Sequence, residues 1–388
     1  MFGEEHSSTA DSCHSLGITQ HEQGEFSKAI QSAQRALDIR RKLFGEEHSS
    51  TADSYYSLGI TQHQQRDFSS AIQSVKRALD IRLKLFGEKH SSTADSCHLL
   101  GDTQLAQGNL TSALQSTQRA LKIRRKLFGE EHSSTASSYH LLGITQHRQG
   151  NLTSALQSTQ RALEIRLKLF GEQHSSTADS YSLLSNTQHE QGDFTSALQS
   201  TQRALEIRLK LFGEQHSSTA DSYHLIGIIQ HEQGDFSSAR QSTINALNIR
   251  LKLFGEEHSS TADSYRSLGI TQHEQGDFTS ALQSKQRALD IRRKLFGEEH
   301  SSTADSYCSL SDTQHEDGDF SSALYSAQRA LDIRRKLFGE EHSSTADSYD
   351  SLGSTQFELG DRNAASWSKQ RALDIRSRLL QEESLKHS

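Results

Sequence analysis

The chain has 388 residues, 32% of them hydrophobic, and 42 basic against 49 acidic residues give a formal net charge of -7. No basic excess offers the counterion release that dominates nucleic-acid affinity, so a nucleic-acid partner is not expected. No stretch approaches the roughly 18 apolar residues of a membrane span. The opening Met1-Phe2-Gly3-Glu4-Glu5 has neither the basic nor the apolar segment of a secretion signal, so a chain that neither enters a membrane nor is exported is expected.

From its first residues the chain repeats itself every 42 positions, with Phe2, Phe44, Phe86, Phe128, Phe170, Phe212, Phe254, Phe296 and Phe338 marking nine copies without an insertion or deletion. A fixed period in the range of about 20–50 residues signals stacked units that share one continuous core. The thiols Cys13, Cys97 and Cys308 lie two or more repeats apart, too far for disulfides, and fit a reducing cytoplasm. Met1-Phe2 enters in mid-pattern, so no N-terminal capping helix is expected.

Within a repeat the elements follow in order. Ser50-Thr51-Ala52-Asp53 has the capping spacing, which predicts that Ser50 starts a first helix, helix A, with Asp53 favouring its positive end. Ala52, Tyr55, Leu58 and Gly59 fall on one face of a helix ending near Gln65. In most copies Gly then Asp follows, as at Gly192-Asp193, predicting a left-handed C′ residue and then the cap of a second helix. Arg66 stands where that Gly is expected, so one turn carries backbone strain. Helix B runs through Phe194, Ala197, Leu198, Thr201, Ala204, Leu205, Ile207 and Leu211, with Arg208 and Lys210 near its negative end and Gly213 as its stop.

Tyr55, Leu58, Gly59, Ala71 and Ala78 match in type and spacing the tetratricopeptide repeat, which the array resembles over residues 2–379. The longer unit, with Arg-Ala-Leu-Asp-Ile-Arg before Leu-Phe-Gly-Glu-Glu-His, is similar to the subgroup found in kinesin light chains and nephrocystin-3-like proteins. The resemblance implies an all-α, right-handed superhelical solenoid of nine antiparallel helix pairs, followed over 380–388 by a helix extension and polar tail.

Departures from the pattern carry expectations of their own. A glutamine column, Gln20 to Gln356, replaces an aromatic on helix A, and is expected to form a ladder of amides between stacked helices. Small or polar residues from Ala33 and Val75 to Lys285 and Lys369 replace an aromatic on helix B. Trp367, in the divergent last copy, is read as packing for a C-terminal cap.

Candidate chemistry is sparse. There is no phosphate-binding loop, no nucleophile elbow and no C-x-x-C, so neither a cofactor nor enzymatic activity is expected. His189-Glu190 begins like a zinc motif, but the second His is missing in every copy, and no metal is expected. The loop histidines, His6 to His342 at the repeat period, read as solvated loop residues. By the resemblance, helix A lines a concave groove that holds a peptide or protein. The matching positions are Asp179, Ser182, Asn186, His189 and Glu190; Asp221, His224, Ile228, His231 and Glu232; and Asp263, Arg266 and His273. Acids and histidines there imply a polar or basic partner whose binding changes between about pH 6 and 7. The expected function is a non-enzymatic interaction scaffold. Its rivals are the sensor arm of a larger signalling NTPase and the cargo-binding part of a kinesin light chain-like motor adaptor, each needing sequence upstream of Met1.

Overall fold

The computed structural model describes residues 5–386, so the expectations for Met1-Phe2 and for the last two residues of the tail lie outside the described residues. Every element among the described residues is a helix. The chain forms two compact units, Met1–Asp193 and Phe194–Ser388. The first contains α1 (Ser7–Glu22), α2 (Phe26–Phe44), α3 (Ser49–Gln64), α4 (Phe68–Phe86), α5 (Ser91–Ala106), α6 (Leu110–Phe128), α7 (Ser133–Arg148), α8 (Leu152–Phe170) and α9 (Ser175–Glu190). The second contains α10 (Phe194–Phe212), α11 (Ser217–Glu232), α12 (Phe236–Phe254), α13 (Ser259–Glu274), α14 (Phe278–Phe296), α15 (Ser301–Glu316), α16 (Phe320–Phe338), α17 (Ser343–Glu358) and α18 (Arg362–Lys386). Helices of 16 residues (helix A) alternate with helices of 19 (helix B), except that the last, α18, has 25. No helix among the described residues is long and apolar enough to cross a membrane.

The start of helix A differs from expectation. His48, not Ser50, is the cap: the Ser50 N–H donates to His48 Nδ1 at 3.2 Å, and the ring stacks on Phe44 at 4.6 Å. The same stack recurs in every copy from Phe86–His90 to Phe338–His342. The loop histidines are therefore joints between one helix B and the next helix A, rather than solvated residues. An imidazole nitrogen can accept from the helix N-terminus as a hydroxyl does, and its ring adds apolar contact.

The turn from A to B behaves as predicted. Gly192 has φ +79°, and the Ser70 N–H donates to the capping carboxylate of Asp67 at 3.1 Å. Arg66 is the one non-glycine with positive φ among the described residues, at 65°.

The core combines buried Leu and Ile, such as Leu58, Leu79 and Ile81, with small residues where the helices come closest. Ala52 and Ala71 are fully buried, and a Cβ on Gly59 would lie 2.5 Å from Val75 Cγ2. The helix B column is small because the backbone of helix A lies against it. Where Ser311 replaces that glycine, Ala327 stands opposite and leaves room, and the Ser311 hydroxyl donates to the Ala323 carbonyl at 2.9 Å. Lys285 fits the same column by sending its amine out to the Ser309 carbonyl at 2.9 Å and to Thr313 Oγ1.

Two further expectations are corrected. The glutamines are used otherwise than as a ladder: within each unit their amide oxygens accept from a serine of helix B in the same repeat, as Gln62 does from Ser74 Oγ at 2.8 Å and Gln146 from Ser158 Oγ at 2.7 Å. They tie A to B. Trp367 is 61% exposed and meets Tyr349 edge-on at 5.7 Å, so it buries too little to act as a packed cap.

Arg66→Gly removes the strained φ without removing a contact from a core residue. It is expected to stabilise the first unit by about 1 kcal/mol, read as a shift in the urea midpoint.

Candidate functional site

Helix A presents to solvent a face opposite its contact with helix B. On α3 that face runs through Asp53, Tyr56, Ser57, Ile60 and Gln64, exposed or half-buried. In the first unit the predicted residues Asp179, Asn186 and Glu190 are exposed on α9, with His189 half-buried. In the second, Asp221 and Glu232 of α11 and Asp263 and Arg266 of α13 are exposed, with His224, His231 and His273 half-buried. The positions drawn from the resemblance are thus exposed or half-buried on their helices. What the resemblance missed is that most of them are already engaged.

The acidic column is held from below. The first-unit arginines Arg40, Arg82 and Arg124 and the second-unit Arg250 and Arg292, on successive copies of helix B, are only 6–8% exposed. Each guanidinium reaches three groups. Arg82 Nη1 donates to the Ser92 carbonyl at 3.0 Å and to Ser96 Oγ at 2.8 Å, both on the next helix A, and Nη2 donates to Asp53 at 2.8 Å on its own. Asp221 and Asp263 take Arg250 and Arg292 at 2.9 and 2.7 Å in the same way. The expected roles change accordingly: Asp53 serves an arginine rather than the helix N-terminus. Arg208 does not cap its own helix either, donating instead to Ser222 Oγ at 2.8 Å on α11.

One copy breaks the rule. Ser137 occupies the acidic position on α7, and Arg166, buried to 7% exposure, keeps its bonds to the Ser176 carbonyl and Ser180 Oγ, both at 2.7 Å, without an ion pair. Burial lowers its pKa, an effect that the carboxylate of Asp179 opposes. This signal was visible in the sequence as a single Ser in a column of Asp, but its meaning required the arginine.

The histidine columns are also partly structural. His147 Nε2 lies 3.3 Å from Glu190, and His273 Nε2 lies 3.4 Å from Glu316, in each case on the following helix A. His63 meets Asp102 at 3.7 Å and Thr103 Oγ1 at 3.1 Å. In the neighbouring column, burial followed by the charge of a nearby arginine depresses the pKa of His98 and His140 to about 3 and that of His224 to about 4. These three are neutral throughout pH 6–7, so the expected change of binding in that window does not come from them. The thiols Cys97 and Cys308 are free and are pushed up to about 11 by burial. Among the described residues no group of three His, Cys, Asp or Glu side chains could hold a metal ion.

Set against known proteins, a family model described as tetratricopeptide repeat matches residues 14–84, 92–168, 148–210, 191–242, 244–294 and 279–336. A comparison with curated protein sequences finds no match. Among solved structures, BtubC (BKLC) from P. vanneervenii is 22% identical, with a TM-score of 0.52 over 59% of this chain and 92% of its own. The apo form of RapI is 16% identical, with a TM-score of 0.67 over 96% of this chain and 99% of its own. A signal transduction ATPase with a tetratricopeptide repeat sensor, from Pyrococcus horikoshii, is 14% identical, with a TM-score of 0.65 over 95% of this chain. This chain spans 54% of that ATPase. At these identities the structures share the fold.

Two outcomes follow from the buried charges. Ser137→Asp supplies the missing carboxylate to Arg166 and should stabilise the first unit by about 1 kcal/mol, the geometry being half open to water. The depressed histidines bind a proton more readily unfolded than folded, so stability is full above about pH 6.5 and falls as the pH drops through about 4 for His224 and about 3 for His98 and His140. Each such histidine contributes a slope of at most about 1.4 kcal/mol per pH unit in that window. His140→Ser, the residue found at Ser182 in the same column, should flatten the acid side of the melting profile.

Proposed function

Since the chain belongs to the tetratricopeptide-repeat family, we propose that it is a non-enzymatic scaffold that binds a peptide or protein on the helix A faces of its repeats. We take residues 2–379 as the recognition array, 380–388 as its extension, and the 42-residue kinesin light chain and nephrocystin-3-like subgroup as its place in the family. The observation that supports this is a division of labour within the repeat. The residues that recur unchanged, such as His48 and Arg82, are consumed by caps and clamps. The exposed or half-buried positions on this side of helix A differ from copy to copy, as in the column Ile60, Asp102, Ile144, Asn186, Ile228, Ile270 and Asp312. A fixed frame with a variable face suits recognition, because the frame sets spacing and the face sets specificity.

The contacts we assign are Asp179, Asn186, His189 and Glu190 in the first unit, and Asp221, His224, His231, Glu232, Asp263, Arg266 and His273 in the second. Their exposed acids favour a polar or basic partner even though Asp221 and Asp263 each share a carboxylate with an arginine, because those side chains remain 63% and 51% exposed. One structure of this fold is a Rap protein complexed with competence and sporulation factor, with a TM-score of 0.56 and 14% identity. A reading as the sensor arm of a larger signalling NTPase is favoured by the ATPase whose repeat sensor shares this fold. The cytoplasm is the compartment we assign.

A photo-crosslinking residue placed at Asn186 or Ile228 is expected to yield adducts in extracts of the native source, whereas one at Lys76 on helix B is not. Adducts confined to Lys76, or none from the helix A positions, would contradict the reading.

A further inference from the structure

Every repeat carries charges along the last turns of helix B, and in most copies they cancel. In the first unit Lys42 pairs with Glu5 at 2.6 Å, Lys84 with Glu47 and Lys168 with Glu131; in the second Lys294 pairs with Glu257 and Lys336 with Glu299. One turn before each lysine stands an acid or its amide: Asp38, Asp80, Glu164, Glu206, Asn248, Asp290 and Asp332. In the first repeat the Gln34 amide donates to Asp38 at 3.0 Å.

The third repeat reverses both positions. Lys89 replaces the glutamate that would pair with Lys126, and Lys122 replaces the acid one turn earlier. None of Lys89, Lys122 and Lys126 has an ion-pair partner among the described residues, and all three are exposed. The nearby acids are occupied: Glu88 accepts from Arg119 at 3.0 Å, and Glu130 from Arg125 at 2.6 Å and Tyr139 at 2.5 Å.

These lysines border real concavities. A cleft of 560 Å³ on one flank of α6 is lined by Leu121, Lys122, Arg125, Lys126, Glu130 and Leu142, and one of 320 Å³ on the other by Glu88, Lys89, Arg119, Lys122, Ile123 and Lys126, so cations outnumber acids in both. The first repeat has the same cleft, 530 Å³, lined by Asp38, Arg41, Lys42 and Glu46. The shape belongs to the repeat, and only the third copy makes it cationic.

We propose that the clefts along α6 bordered by Lys89, Lys122 and Lys126 form a second binding surface, which takes an acidic, partly apolar peptide segment of a partner protein. Lys122 and Lys126 lie one helical turn apart, about 5–6 Å, close to the about 6–7 Å between alternate side chains of an extended strand. Carboxylates at every second position of the peptide would thus meet successive lysines. The aliphatic stems of the lysines, lying over the almost fully buried Leu121, Ile123 and Leu142, give its apolar groups a wall. A nucleic-acid backbone fits less well, since it would run past Glu88 and Glu130 with three unpaired cations to neutralise it. The surface is centred on helix B, with Lys89 from the preceding loop and Leu142 from α7, rather than on the exposed helix A positions assigned above.

The test uses a fluorescein-labelled decapeptide of alternating Glu and Leu, read by anisotropy on the full chain. The wild type should bind, more weakly as salt is raised, and Lys89→Glu with Lys122→Asp should weaken binding at least tenfold. Both substitutions restore residues that other copies carry, and Lys126 regains its partner, so the melting temperature should be unchanged or higher. Conversely, Glu5→Lys with Asp38→Lys should build the same surface in the first repeat and raise the stoichiometry from one peptide to two. Equal binding by the wild type and the Lys89/Lys122 variant, absence of binding, or tighter binding of a thymidine decamer would each overturn the proposal. None of these results bears on crosslinking from Asn186, so the two readings fail separately.

Discussion

The buried arginine at the end of helix B is the constraint on which the rest of the repeat depends. Between repeats the apolar core, such as Leu79 against Leu100 and Ile123, is non-directional and does not by itself fix how one pair sits on the next. Arg82 supplies a directional link instead, joining Asp53 on its own helix A to a carbonyl and a hydroxyl on the following one. A buried charge is tolerated when its hydrogen bonds are met, and each bond to a charged donor contributes more than a neutral one. The His–Phe stack fixes the same joint from outside, so two polar devices set the register between repeats.

This explains why the repeat tolerates so polar a composition. The glutamine on helix A, where a larger apolar residue is expected, is matched by a serine on helix B. The glycine of helix A leaves room for the helix B side chain facing it, as at Gly59 opposite Val75. With structure secured by such pairs, the exposed positions of helix A and the end of helix B are free to differ between copies. The two departures that matter most, Ser137 beneath Arg166 and the lysines of the third repeat, are charge changes within an otherwise constant frame.

Much of the fold was legible because it is local. The 42-residue period, the A-to-B turn with its glycine and capping Asp, the strained Arg66 and the limits of helix B all depend on neighbours within a few residues. The long-range pairings were not legible. Arg82 meets Asp53, 29 positions back, and Ser96, 14 ahead, and no helical or strand spacing signals such partners. His48 was passed over as a cap because Ser50 offered the commoner residue type at a plausible position. The candidate positions on helix A came from the resemblance, and the structure leaves them exposed or half-buried. Periodicity carries no information on whether a surface Asp is paired or a histidine desolvated, so the charge of that face emerged only from the packing.

The most direct test of the arginine link is amide hydrogen exchange on Arg124→Met, which keeps the bulk of the side chain and removes its bonds to Ser134, Ser138 and Asp95. In a stack whose units depend on nearest neighbours, exchange should speed up in α5, α6 and α7 and remain unchanged in α1 and α2. Unaltered protection in α7 would contradict the claim that the guanidinium, rather than apolar contact, holds one repeat to the next.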